Sequence, residues 1–75
     1  MEKMAQFEIS IKAARINAGL TQKELAKIIG VSNLTISSWE TGKTEPTVSQ
    51  LKKIAEVTDI NIINLVTEKA RTVLS

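Results

Sequence analysis

The chain has 75 residues, a net charge of +2 and 43% apolar residues, with neither cysteine nor histidine. A chain of this length makes one small domain and buries only about 60% of its unfolded surface. The missing cysteines exclude a disulfide framework and a thiolate metal site, and the missing histidines remove the usual general base and zinc ligand. No apolar run approaches the ~20 residues that cross a bilayer. The opening MEKMAQFEIS lacks the apolar core of a signal peptide. A cytoplasmic protein with no membrane association and no cofactor is the expectation.

The charge is segregated. Residues 9–53 contain seven basic side chains (Lys12, Arg15, Lys23, Lys27, Lys43, Lys52, Lys53) and three acidic ones (Glu24, Glu40, Glu45), a surplus of four positive charges, so the two ends together are negative. A positive central segment suits a partner rich in phosphate, although a mixed solvated surface has the same average.

Residues 1–6 are expected to be a flexible N-terminus. Helix 1 is expected over 7–18, ended by Gly19. It carries two apolar stripes at helical spacing, one of Phe7, Ile11, Ala14 and Ala18 and the other of Ile9, Ala13, Ile16 and Leu20.

Thr21 then starts a second helix. Its hydroxyl can accept from a backbone N–H of the first turn while Glu24 reaches back to the Thr21 N–H, a capping box. Leu25, Ala26, Ile28 and Ile29 supply an apolar face. Gly30 can take the left-handed conformation that stops the helix. Ser32 caps a third helix only two residues later. One helix therefore ends and another begins within about three residues, the mark of a helix-turn-helix over residues 21–41. In the third helix Ile36 and Trp39 face inward, Trp39 as core rather than as a stacking platform. Ser32, Asn33, Leu34, Ser37 and Ser38 are left outside, and Gly42 ends the helix.

Pro46 disfavours helix at Glu45, so residues 43–47 read as a loop. Thr47 caps helix 4, with Gln50 at the capping-box position. Val48, Leu51, Ile54 and Ala55 form its apolar stripe, and the helix ends near Thr58. Asp59 tolerates the left-handed conformation better than most residues. Asn61 can cap a short helix 5 in which Ile62, Leu65 and Val66 pack inward. Residues 67–75 form a C-terminal extension that either continues helix 5 through Ala70, Val73 and Leu74 or is disordered. Asn61 and Asn64 interrupt the apolar run at 60–66, so no strand is expected.

The stretch from Thr21 to Lys43 resembles the phage repressor/Cro-type, Xre-like helix-turn-helix family. Its Thr-Gln-x-Glu-Leu-Ala opening stands at Thr21 to Ala26 and its Trp-Glu-x-Gly-Lys closing at Trp39 to Lys43. The family's core pattern falls on Leu25, Ala26, Ile29, Gly30, Val31, Ile36 and Trp39, and the likeness extends over residues 7–66. It implies an all-α fold, a compact five-helix bundle. It places the first stripe of helix 1 in the core, with Leu20 joining from the loop and Ile9 and Ile16 partly exposed. Thr58 stands where the family has leucine and Asp59 where it has glycine; the first departure would thin the core.

The function this resemblance implies is sequence-specific binding of double-stranded DNA by a transcriptional regulator, a repressor, with the third helix in the major groove. The candidate base contacts are Ser32, Asn33, Leu34, Ser37 and Ser38, and the family's own base contacts fall on Asn33, Leu34 and Ser38. Asn33 can read adenine through N6 and N7, and Leu34 can meet a thymine methyl group. With no arginine on this face, A·T-containing steps are preferred. The competing assignments are local: Ser32 as an N-cap, Asn33 as a cap or solvated side chain, Leu34 packed back on the turn. Candidate phosphate contacts are Gln22, at the helix N-terminus, and Thr41, Gly42, Lys43 and Thr44. Lys27 reads better as a solvated charge. By the same resemblance Arg15 and Glu40 form a structural ion pair that pins helix 1 to helix 3.

Enzyme chemistry has no support, since histidine, cysteine, a glycine-rich phosphate loop and a carboxylate pair are all missing. The second reading is an antitoxin or protein-interaction module that keeps the helix-turn-helix. It would bind a protein partner through Ile9 and Ile16 of helix 1 or Val73 and Leu74 of the tail. A single domain covers about one half-site, so a weak homodimer on a near-palindromic operator is expected.

Overall fold

A computed structural model describes residues 8–67 of the chain. Chain order is β1 (Ile9–Ser10), α1 (Ile11–Asn17), α2 (Gln22–Ile29), α3 (Asn33–Thr41), α4 (Val48–Thr58), a 3₁₀ turn (Ile62–Asn64) and β2 (Leu65–Val66). Each helix begins where a side chain accepts from its first turn. Ser10 Oγ accepts from Ala13 N–H at 3.0 Å, and Thr47 closes a capping box with Gln50 at 3.1 and 2.8 Å. Asp59 ends α4 with φ of 60°, the left-handed cap usually taken by glycine.

The helices enclose one core of Ile11, Ala14, Leu25, Ala26, Ile36, Trp39, Ile54, Ala55 and Leu65. Ile9, Leu20, Ile29, Val31, Leu51, Val57, Ile60 and Ile62 pack around it, half-buried. The inner positions of all four helices therefore meet in one place, and this fixes which face of α3 is turned outward.

Several expectations need correction. Among the described residues there are four α-helices, not five. From Asn61 the chain makes a single 3₁₀ turn, in which Asn61 Oδ1 accepts from Ile63 N–H at 3.1 Å, and then runs extended. Leu65 and Val66 pair in parallel with Ile9 and Ser10, a strand pairing not expected from the sequence. The same pairing moves the start of helix 1: residues 9–10 are extended, and the helix begins at Ile11, not at residue 7. Ala18 is exposed and so leaves the proposed core stripe. Ile28 is 44% and Val48 74% exposed, so neither belongs to the buried face of its helix. Val48 is the first residue of α4, on the same face as Leu51 and Ala55 but beyond the edge of the core. Thr58 is buried, and its Oγ1 donates to Ile54 O at 2.7 Å. Ile9 is half-buried and Ile16 exposed. Phe7, residues 1–6 and residues 68–75, with Val73 and Leu74, lie outside the described residues.

Candidate nucleic-acid interface

The α2–α3 unit is built from local hydrogen bonds. Thr21 Oγ1 accepts from Glu24 N–H at 3.0 Å, and Glu24 Oε1 accepts from Thr21 N–H at 2.8 Å. At the far end Gly30 takes φ of 91°, and the N–H groups of Gly30 and Val31 both donate to Ala26 O, at 2.8 and 3.0 Å. This cap leaves room for only Val31 and Ser32 before α3 starts. Ser32 is the N-cap: its Oγ accepts from Thr35 N–H at 3.1 Å and lies 2.9 Å from Thr35 Oγ1. Sequence reasoning missed Thr35, whose position three residues beyond the cap was the available signal.

Along α3 the two sides are sharply different. Ile36 and Trp39 are buried beneath the helix. Ser32, Asn33 and Leu34 are exposed, Leu34 at 74%, and Ser37 and Ser38 are half-buried one turn on. Leu34 therefore does not fold back on the turn. Asn33, Leu34, Ser37 and Ser38 fall on the side of α3 away from Ile36 and Trp39, with Ser32 exposed at its N-cap, and none of the five is charged.

The candidate phosphate contacts fare unevenly. Ser38 O accepts from Lys43 N–H at 2.9 Å and Thr44 N–H at 3.4 Å, and Gly42 N–H donates to Trp39 O at 3.3 Å. Thr41 Oγ1 donates to Ser37 O and Ser38 O at 3.1 and 3.3 Å. The Gly42 amide and Thr41 hydroxyl are thus committed to the cap of α3. What this corner offers a phosphate is the exposed side chains of Lys43 and Thr44.

Arg15 and Glu40 meet behind α3, with side chains 10% and 3% exposed. Arg15 Nε donates to Glu40 Oε2 at 2.6 Å and Nη2 to Oε1 at 3.1 Å, the two-pronged geometry that a guanidinium favours with a carboxylate. Nη1 donates to Leu20 O at 2.8 Å, which ties in the α1–α2 loop. Gln22 adds a bond that linear spacing could not suggest: its Nε2 donates to Glu40 Oε1 at 3.0 Å. The carboxylate therefore joins α1, α2 and α3 at one point.

Among the described residues no three acidic, histidine or cysteine side chains are grouped to hold a metal ion. No helix among them is long and apolar enough to cross a membrane.

Comparison with known proteins adds three findings. A helix-turn-helix family model matches residues 11–64. The HTH-type transcriptional activator BcrR of Enterococcus faecalis is 35% identical over 60 residues, 80% of this chain and 29% of that protein. An uncharacterized HTH-type transcriptional regulator of Archaeoglobus fulgidus is 42% identical over 55 residues, 73% of this chain and 79% of that protein. The chain thus spans less than a third of the first relative's length and most of the second's. No solved structure gives a significant match.

Proposed function

The chain belongs to the Xre/Cro-like helix-turn-helix family of transcriptional regulators, and from that membership we propose that it binds double-stranded DNA sequence-specifically, reading the major groove with α3. Residues 7–66 serve as the DNA-binding domain and 67–75 as an extension. The protein acts in the cytoplasm, where bacterial and archaeal DNA is found. It represses by occupying its operator, two copies binding half-sites about 34 Å apart. The observation that carries this reading is the outer surface of α3. An exposed leucine sits beside Asn33 on the first turn of a helix whose other side is fully packed. An isolated leucine there contributes nothing to the fold, whereas against a thymine methyl it buries apolar surface. Asn33 supplies the adenine contact, Gln22, Lys43 and Thr44 hold flanking phosphates, and Ser32, Ser37 and Ser38 fill in along the groove.

Selection from random duplexes supplies the probe. Exchanging thymine for uracil at the Leu34-contacted step removes one methyl group, worth about 0.8 kcal/mol, so wild-type affinity falls about fourfold. Leu34→Ala loses a similar amount on the thymine duplex and no longer distinguishes the two bases. A Leu34→Ala protein that kept the distinction would assign the methyl contact elsewhere. Lys43→Ala is expected to weaken binding to all sequences alike and to lower the log–log salt slope by about 0.9 for each bound copy. An unchanged slope would remove Lys43 from the phosphate contacts.

The exposure of Ile16, 57%, favours a second reading in which α1 docks a protein, as an antitoxin docks its toxin. Co-purification with the product of the neighbouring gene, run beside a gel shift, separates the two. An Ile16→Ser protein that loses a co-purifying partner but keeps the gel shift supports the second.

A further inference from the structure

Glu40 has a role that its pairing with Arg15 does not exhaust. Its Oε1 accepts from Arg15 Nη2 at 3.1 Å and from Gln22 Nε2 at 3.0 Å. Gln22 is the first residue of α2 and half-buried, while the Glu40 carboxylate is almost fully enclosed. A carboxamide is ambiguous: it can present an oxygen or an N–H to whatever approaches it. A carboxylate accepts only, so it pulls the Nε2 side of Gln22 toward itself and repels the Oε1 side. One Nε2 hydrogen is held by Glu40, and the second is left on the nitrogen to donate elsewhere. Arg15 neutralises the carboxylate, so the cluster does not repel an incoming anion.

We propose that Glu40 is a positioning residue for DNA backbone recognition, setting the Gln22 carboxamide so that it meets a phosphate as a donor. The inference rests on the DNA-binding reading above. The ordering of a flexible side chain is completed when the protein folds and is not repeated on binding. With glutamine at position 40, Gln22 is free to present either end, and half of its orientations turn an oxygen toward the phosphate.

The test scans the wild-type-selected duplex with single methylphosphonates, each of which removes one backbone charge. In wild type, the phosphate met by Gln22 is a position where substitution lowers affinity about tenfold, the scale of a hydrogen bond to a charged group. Gln22→Met loses that sensitivity and keeps the sensitivities at other phosphates. Glu40→Gln is expected to lower the same sensitivity about twofold, to about fivefold, although Gln22 is still present. Because Glu40→Gln leaves the Arg15 charge without its partner, R15M/E40Q is measured beside it, with no stranded charge. Folding of each variant is followed by Trp39 fluorescence. A purely structural role for Glu40 would lower affinity evenly and leave the Gln22-dependent phosphate as sensitive as in wild type; that result overturns the proposal while leaving the DNA-binding reading intact. Wild type ignoring every duplex would overturn both. In the free protein, the Gln22 side-chain amide proton bonded to Glu40 should be shifted downfield and slow to exchange in wild type and should lose both properties in R15M/E40Q. Unchanged signals would count against the Glu40 tie without any DNA present.

Discussion

Arg15→Ala is expected to lower the free energy of unfolding by about 3–5 kcal/mol, most of what holds a domain of this size together. The cost arises because Glu40 stays behind. Its side chain is 3% exposed, and with Arg15 gone the Gln22 amide is the donor left to the carboxylate among the described residues. The Leu20 carbonyl also loses its donor, which loosens the α1–α2 loop. Replacing both charges together, as in R15M/E40Q, strands no charge and should cost less, although the Leu20 carbonyl still loses its donor. Urea unfolding followed by Trp39 fluorescence measures both. A loss below about 1 kcal/mol for Arg15→Ala would mean the pair behaves like an exposed one.

Trp39→Ala is expected to be comparably damaging, about 3–5 kcal/mol, measured by thermal unfolding in circular dichroism because the fluorophore is gone. Trp39 is 3% exposed and packs with Ile36, Leu25 and Ile54 in the single core. The consequence for function is indirect but large. Ile36 and Trp39 are the apolar attachment of α3 to the core, beside the Glu40 cluster, so loss of Trp39 loosens the fixed angle of the outer surface. DNA affinity should fall with the folded fraction, and a stabilising osmolyte should restore part of it. Ser37→Ala, on the same helix but half-buried, should change stability little.

What could be read from the sequence was what is decided locally. The capping boxes at Thr21 and Thr47, the left-handed stops at Gly30, Gly42 and Asp59, and the inward Ile36 and Trp39 each depend on neighbours within a turn or two. The helix-turn-helix was legible for that reason. The pairing of Ile9 and Ser10 with Leu65 and Val66 was not, because it joins the two ends of the chain. It consumed both the first turn expected of helix 1 and the helix expected after Asn61. Periodicity also made the stripes too wide: Ile28 and Val48 have helical spacing but lie at the margin of a core too small to cover them. The site shows the same division. Helix geometry puts Asn33 and Leu34 on the side away from Ile36 and Trp39, but whether Leu34 packs back on the turn is decided by its surroundings, which leave it 74% exposed. The bond from Gln22 to Glu40 connects side chains on two different helices, and the motif that makes Gly42 a candidate phosphate contact does not reveal that its amide serves the cap of α3.

DNA recognition by this chain depends on the outer side of α3 being the surface that meets a duplex. Titrating ¹⁵N-labelled protein with a selected duplex at low ionic strength, and following each backbone amide, tests this directly. The largest shifts are predicted at Asn33, Leu34, Ser37 and Ser38, with smaller ones at Gln22, Lys43 and Thr44 and little change along α4. Shifts confined to α4 and the 3₁₀ turn, or spectra that no duplex perturbs, would contradict the account.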